Sequence, residues 1–447
     1  MMDEIIKEFV FWGIWLVIPL IIDFVIGIVA AIIVSFDYFT KTDDRKLSFY
    51  PYVTILIPVY NSEKTLCQCV KSIVNQSYPI SNLQVLLIDN GSKDESYRVY
   101  CELQQQYPKL RLWWLDSSKG KAKALNKGLY MADGKYIINI DSDGVLEKDA
   151  IFNMVYKFEK KDDVIAMTGV VLTNYKDIDK TNIGIKKVFQ KCELFEYSEA
   201  FLIGRGFQSK TNTMFTLAGA FSAFRRDSVL RTQLYNGETL GEDTHMTSQI
   251  RAFLDGRVEL CEDSFFFVDP VENLDKLYIQ RQRWQRGQIE VSTLFSGKNI
   301  KKGLVNILKI NIIKDHTLVF PRLIWIFALI FLIFIDYPMK LIVGANLIMY
   351  LSYVLLSVVN FIVSKLYLKE QKDLRRFMNK NFMIVFLLPI YRIVIFFMRV
   401  AGILNSTKEK SHWNTKTFNQ EKEMINERMK NDYSWFYRIK SWVNCYK

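Results

Sequence analysis

Residues 136–144 run Tyr136-Ile137-Ile138-Asn139-Ile140-Asp141-Ser142-Asp143-Gly144, an uncharged and mostly apolar stretch closed by two acids one residue apart. Such a stretch suits a strand covered on both faces. On an extended backbone residues two apart point the same way, so Asp141 and Asp143 can converge on one ion. A hard divalent cation with carboxylate ligands keeps several waters and binds substrate phosphates as well. The same acids would equally form an ordinary solvated turn. Their position at the end of a buried strand favours the binding reading.

The pattern extends outward from there. Residues 53–59, 85–88, 110–115 and 164–168 are further buried-strand candidates, with helices expected over 63–76, 95–106, 121–132 and 148–160. This alternation predicts a parallel sheet with helices on both faces. Ligands of such sheets bind beyond the carboxyl ends of the strands. Those ends carry Pro58-Val59-Tyr60-Asn61, then Asp89-Asn90-Gly91-Ser92 with Asp94 following, then the Asp141–Gly144 acids. Neither GxGxxG nor GxxxxGK[ST] occurs there, so dinucleotide dehydrogenases and P-loop NTPases fit poorly.

The ends of the chain have a different composition. Half of the 447 residues are hydrophobic and 14% aromatic. Residues 9–36 carry one charge, Asp23, a stretch long enough to span a bilayer and too long for a signal-peptide core. Apolar runs return at 317–335, 341–363 and 382–404. The chain is expected to be a multi-pass protein of the cell membrane. Its net charge of +12 gathers beside these runs, at Lys298, Lys301, Lys302, Lys309 and Lys314 and again at Lys365, Lys369, Lys372, Arg375, Arg376 and Lys380. That distribution marks cytoplasmic loops rather than nucleic-acid binding. An acidic N-terminus followed by Lys41, Arg45 and Lys46 puts residues 42–315 in the cytoplasm. In the last run Pro389, Arg392 and Arg399 suit an interfacial helix as well as a span, and a cytoplasmic tail is preferred. Trp413 in that tail reads as a lipid-headgroup contact. The six cysteines lack paired CxxC spacing and there are three histidines, so no zinc site or disulfide framework is implied.

Further elements follow in order: Gly120-Lys121-Ala122-Lys123-Ala124-Leu125-Asn126, Gly219-Ala220-Phe221-Ser222-Ala223-Phe224-Arg225, Gly241-Glu242-Asp243, and Gln280-Arg281-Gln282-Arg283-Trp284. Together with Ile57–Asn61, Asp89–Asp94 and the two acids at 141 and 143, the series resembles the family 2 glycosyltransferases. The QxxRW element beside apolar runs is similar to the cellulose, hyaluronan, chitin-oligosaccharide and poly-N-acetylglucosamine synthases. The wording also resembles a Gram-positive group found with exosortase-type systems. The resemblance implies a GT-A (Rossmann-like) α/β domain over 48–300 with interfacial helices near its end. That domain would sit between an N-terminal transmembrane helix at 1–40 and a transmembrane region of two or three spans at 315–404, with a basic tail at 405–447.

By that resemblance Asp89 contacts the uracil of a UDP-sugar donor, and Lys121 the nucleotide or its phosphates. Asp141 orients ribose or metal, and Asp143 ligates Mg2+ or Mn2+. A diphosphate leaving group develops negative charge, which a cation and the planar fork of Arg283 would stabilise. Gln280 and Glu242 belong to the same substrate-binding set. Trp284 would offer an apolar face to an acceptor sugar, although an interfacial anchor is the alternative reading. Asp243 is the expected general base for a hydroxyl nucleophile; the Glu242-Asp243 pair also suits a helix start. Asn90 stands where the family usually has a second acid, and Gly241 where it usually has Thr. Expected partners are a glycan or lipid-linked acceptor and membrane lipid, with no nucleic acid. No gating-loop motif follows Trp284 and the spans are few, which leaves room for a membrane partner subunit. Processive synthesis, single transfer to a lipid-linked acceptor, and an inactive nucleotide-sugar-binding scaffold are the competing readings. Tyr197, Glu196, Arg205 and Phe207 lie on an expected amphipathic helix over 187–207, taken as a packing face.

Overall fold

In a computed structural model, the chain is described over residues 20–40, 45–254, 256–295, 302–313, 319–406 and 417–432. Residues 1–19 and Trp413, Cys445, Lys41, Lys298, Lys301 and Lys314 lie outside these. A π-helical turn Leu20–Val25 leads into α1 (Ile26–Thr40). The elements of the sheet domain then run β1 (Val53–Val59), α2 (Leu66–Val74), β2 (Leu83–Asp89), α3 (Ser96–Gln106), β3 (Arg111–Asp116), α4 (Lys121–Met131) and β4 (Tyr136–Ile140). After them come β5 (Gly144–Leu146), α5 (Ala150–Lys160), β6 (Val164–Thr173), α6 (Tyr175–Lys180), α7 (Ile185–Ser198) and a π-helical segment Glu199–Arg205. The domain is completed by α8 (Gly206–Lys210), β7 (Phe221–Arg225), α9 (Arg226–Val229), α10 (Glu242–Phe253), β8 (Arg257–Val268) and α11 (Leu274–Leu294). The remainder is helical: α12 (Lys302–Ile312), α13 (Val319–Phe334), α14 (Met339–Tyr367), α15 (Lys372–Lys380), α16 (Ile384–Ser406) and α17 (Phe418–Asp432).

β1 and β4 are buried at every residue, as strands sandwiched between helix layers must be. The sheet order is β3-β2-β1-β4-β7-β6-β8-β5. The expectation of a parallel sheet holds through β3-β2-β1-β4 and again between β6 and β8, but not throughout. β7 lies antiparallel between β4 and β6, and β5 antiparallel on β8, so the sheet is mixed. The chain order reverses between β1 and β4, which opens a crevice at their carboxyl ends. Gly144, directly after the two acids, is required by close packing: a Cβ there would stand 2.2 Å from the ring of Phe266 on β8.

α1, α14 and α16 are long and apolar enough to cross a membrane, and α13 holds a shorter apolar stretch. Asp23 is not isolated among them. Its carboxylate accepts from Arg322 of α13 at 2.6 Å and from Tyr353 of α14 at 2.7 Å, tying three apolar helices together. Paired charge of this kind is what an apolar environment demands. α16 runs beside the sheet domain instead of standing apart. Arg392 binds Glu199, Tyr391 donates to Glu196 at 3.3 Å, Arg399 donates to Gln285 at 2.7 Å, and Asn405 donates to Gln282 at 3.1 Å. The segment expected as a basic tail contains α17, which returns to α11: Tyr278 and Asn405 both donate to Glu421, and the rings of Tyr278 and Phe418 meet at 5.6 Å.

Candidate active site

The crevice between β1 and β4 gathers residues from five separate loops. At its floor Ser62, just past β1, and Ser142, just past β4, share a hydrogen bond of 2.7 Å. Asp141 leaves β4 with its N–H donated to Ala220 O, which brings the Gly219-Ala220 segment alongside. Lys121, the first residue of α4, reaches Asp141 Oδ1 at 2.5 Å, Gly219 O at 3.5 Å and Glu242 Oε1 at 3.9 Å. Burial pushes its amine down, but Asp141 and Glu242 outweigh it and hold Lys121 charged, above the ordinary lysine range. Removing either partner would strand the other's charge, at a cost below the ~3–5 kcal/mol of a fully buried pair because solvent reaches Asp141.

Asp143 opens to solvent at the crevice mouth but is walled by protein around its carboxyl. Burial and then Asp141 push it up to about 6, against the pull of Lys121. The shift belongs to a crevice rather than a sealed interior, and its direction is the one expected for two carboxylates sharing a site. Such a pair is suited to a divalent cation. Among the described residues no group of three His, Cys, Asp or Glu forms a ready-made cage. Two acids plus substrate phosphates and water are the ordinary set for Mg2+, so Asp141 and Asp143 fit that ion.

Asp243 stands at the start of α10. Its Oδ2 accepts the Gly219 N–H at 3.1 Å and its Oδ1 the Thr244 N–H at 2.7 Å. It therefore satisfies a free N–H of the first helical turn and lies in the crevice at once. Glu242 beside it is raised by burial, with Lys121 opposing and Asp243 adding to the rise. Gly241, the departure from the family pattern, has a packing cause. It lies against Gly287 of α11, where a Cβ would come within 2.9 Å of Gly241 Cα. The start of α10 and the middle of α11 thus touch backbone to backbone, and Arg283 is carried into the field of Glu242, Asp141 and Asp243. Burial depresses the Arg283 guanidinium and those three acids work against the depression.

Asp89 lies on the same sheet edge at the end of β2. Its carboxylate accepts the N–H groups of Gly91 at 3.2 Å and Ser92 at 3.0 Å, so it also shapes its own turn. Asn90 accepts from Gly120 N and so fixes the entry to α4. Asp94 turns away from the crevice and clamps loops, accepting from Glu63 N at 2.9 Å and Ser96 Oγ at 2.6 Å. Gln280 accepts from Tyr197 OH at 3.4 Å.

Trp284 is 47% exposed, and the guanidinium of Arg281 lies 4.8 Å from its ring centroid. Arg281 is buried, binds Glu196 at 2.5 Å, and also covers the ring of Tyr197 at 5.5 Å. Tyr391 of α16 donates to the same Glu196 oxygen. Glu196 and Tyr197 were expected to be packing residues; they brace the Trp284 platform. Arg205 is a second omission. It packs 4.4 Å over Phe201, where burial lowers it to about 10 against the attraction of Asp243. The helical spacing of α7 gives no sign of the Glu196–Arg281 pair, whose members are 85 residues apart in sequence. Of the cysteines, Cys69, Cys192 and Cys261 are buried thiols, whereas Cys67 is exposed.

Residues 54–231 match the family described as Glycosyl transferase family 2. The poly-beta-1,6-N-acetyl-D-glucosamine synthase of Staphylococcus epidermidis is 25% identical over 239 residues, covering 54% of this chain and 55% of the synthase. The glycosyltransferase GlyG of Streptococcus pneumoniae is 24% identical over 283 residues, 59% of this chain and 87% of GlyG. The chain thus spans about half the length of the synthases it matches. The mannosyltransferase PcManGT from Pyrobaculum calidifontis, solved with GDP-Man and Mn2+, overlays with a TM-score of 0.57 at 17% identity, covering 80% of this chain and 97% of that one. Likeness at that identity is one of fold, and the fold is GT-A.

Proposed function

Residues 54–231 form a family 2 glycosyltransferase domain, and from that premise we propose that the chain transfers a sugar from a UDP-linked donor to a growing glycan at the membrane. The observation carrying this reading is the convergence of Lys121, Asp141, Glu242 and Asp243 on one crevice at the topological switch point.

Asp243 removes the proton from the acceptor hydroxyl as its oxygen attacks the anomeric carbon, and the bond to the diphosphate breaks with inversion. Asp89 receives the uracil, and Lys121 and Arg283 bear on the diphosphate as its charge develops. Asp141 and Asp143 would hold Mg2+ or Mn2+, whose chemistry is to neutralise charge on the leaving diphosphate. Glu242 keeps Lys121 in place. Trp284, braced by Arg281, presents an apolar ring for the acceptor sugar.

Contacts support one membrane arrangement. α11 is continuous with the sheet through β8, and α16 and α17 both bond to α11. This supports α16 lying at the interface, with α17 on the catalytic side and α1, α13 and α14 as the crossing helices. A reporter fused after Lys447 is expected to be active only in the cytoplasm; activity outside the cell would refute that arrangement. The activity itself is tested with purified protein, a panel of UDP- and GDP-sugars, and Mg2+ or Mn2+. Release of UDP from one donor, abolished by chelator and restored by metal, is expected. Release of nucleotide from no donor, with membrane lipid extract present as acceptor, would count against the reading.

A further inference from the structure

An open cleft of about 500 Å³ lies between α6 and α15, away from the residues assigned to transfer. One wall belongs to the catalytic domain. The other is the short helix joining the apolar helices α14 and α16, so the cleft sits where the domain meets the membrane part. Tyr175 and Phe377 meet in it, with ring centroids 5.7 Å apart. Around them stand Lys176, Lys180, Arg376 and Lys380, against Asp179 and Asp373.

Two of the four cations are already engaged, Lys180 with Asp177 at 2.7 Å and Arg376 with Asp373 at 3.5 Å. Lys176 and Lys380 make no ion pair among the described residues. Lys191 of α7 is pushed below the ordinary lysine range by burial and then by Lys187 and Lys380, as amines are where positive charge outruns its counter-charge. A second feature adjoins this one in sequence. Ile183 is 98% exposed and Ile185 78% exposed, in a segment flanked by Lys180, Lys186 and Lys187. Water-exposed isoleucines among lysines have no packing use within the domain. Apolar side chains amid basic ones are the composition of surfaces that enter the headgroup layer of anionic membranes.

We propose that this corner docks an anionic phospholipid, with the headgroup phosphate in the cleft of Lys176 and Lys380 and with Ile183 and Ile185 entering the acyl boundary. The proposal rests on α14 being a membrane helix and not on the transfer chemistry, so either can fail alone. A free phosphate ion would share the cation chemistry, but it would leave the isoleucines unused. The four cations outnumber the two acids of the lining, which suits a headgroup with net negative charge and gives no reason to select a zwitterionic one.

The test is native mass spectrometry of the full chain in detergent, titrated with phosphatidylglycerol, with phosphatidylcholine of the same acyl chains, and with inorganic phosphate. Phosphatidylglycerol should bind in preference, and K176Q/K380Q should weaken that preference roughly tenfold. The charge-keeping pair K176R/K380R should retain it, which separates lost charge from lost folding. I183S/I185S should weaken both lipids together. An unchanged preference in K176Q/K380Q, or displacement of the lipid by millimolar phosphate with no loss in I183S/I185S, would overturn the proposal.

Discussion

Arg281 shows how a residue outside a motif's fixed letters comes to matter. Its guanidinium covers Trp284 on one side and is held by Glu196 on the other. Replacing Glu196 by Gln keeps the shape and removes the charge that fixes Arg281. We expect acceptor KM to rise about tenfold while nucleotide release without acceptor is unchanged, and Glu196→Asp to recover part of the loss. Equal loss with and without acceptor would mean that Glu196 is structural. One turn earlier, Glu193 accepts the Val271 N–H at 3.0 Å in an otherwise dry site. Burial pushes its carboxyl from the ordinary 4.5 up to about 7. Between those values the folded protein holds more protons than the unfolded chain, so stability falls as pH rises through the window. Glu193→Gln keeps an acceptor for Val271 and removes the titration. Its melting temperature should exceed that of the parent at pH 8, and the two should converge below pH 5.

At the scale of elements, the contact of α10 with α11 is the joint on which the site turns. Gly241 and Gly287 allow the two backbones to touch, and Asp243 and Arg283 are each within four residues of that point. Gly287→Ala puts a methyl into backbone that cannot step aside. Transfer should fall about a hundredfold, since displacements near 1 Å at a reacting centre cost that much, while the donor still binds; a steady-state assay beside a nucleotide-binding titration would show it. The elements themselves were unequally legible. β1, β2 and β4 announce themselves because a strand between two helix layers must be apolar throughout. β8 does not: Arg257, Glu259, Glu262 and Asp263 make it look like a loop. Glu259 is buried and bonded to Lys157 at 3.3 Å and Lys161 at 3.0 Å, partners about a hundred residues earlier that no local window contains. β7, five residues lying antiparallel to both neighbours, was beyond alternation arguments for the same reason. The candidate acids are legible in the sequence because each lies at or beside the end of an element. Arg205 and Glu196 were not, because their partners arrive through tertiary packing.

On the scale of the whole molecule, the crevice and the apolar helices are connected through α7, α11 and α16. Glu196 meets both Arg281 under Trp284 and Tyr391 of α16, and Glu199 meets Arg392. A shift of α16 would therefore be felt at Trp284 before it reached the sheet. The account stands or falls on Asp243 acting as base within a working donor site. The most direct measurement compares the parent protein with Asp243→Asn, following UDP release in the presence of acceptor and donor binding by titration on the same samples. Loss of release by at least a hundredfold with donor affinity within about threefold of the parent is the predicted result. Release that survives the substitution, with the fold and donor binding intact, would contradict it.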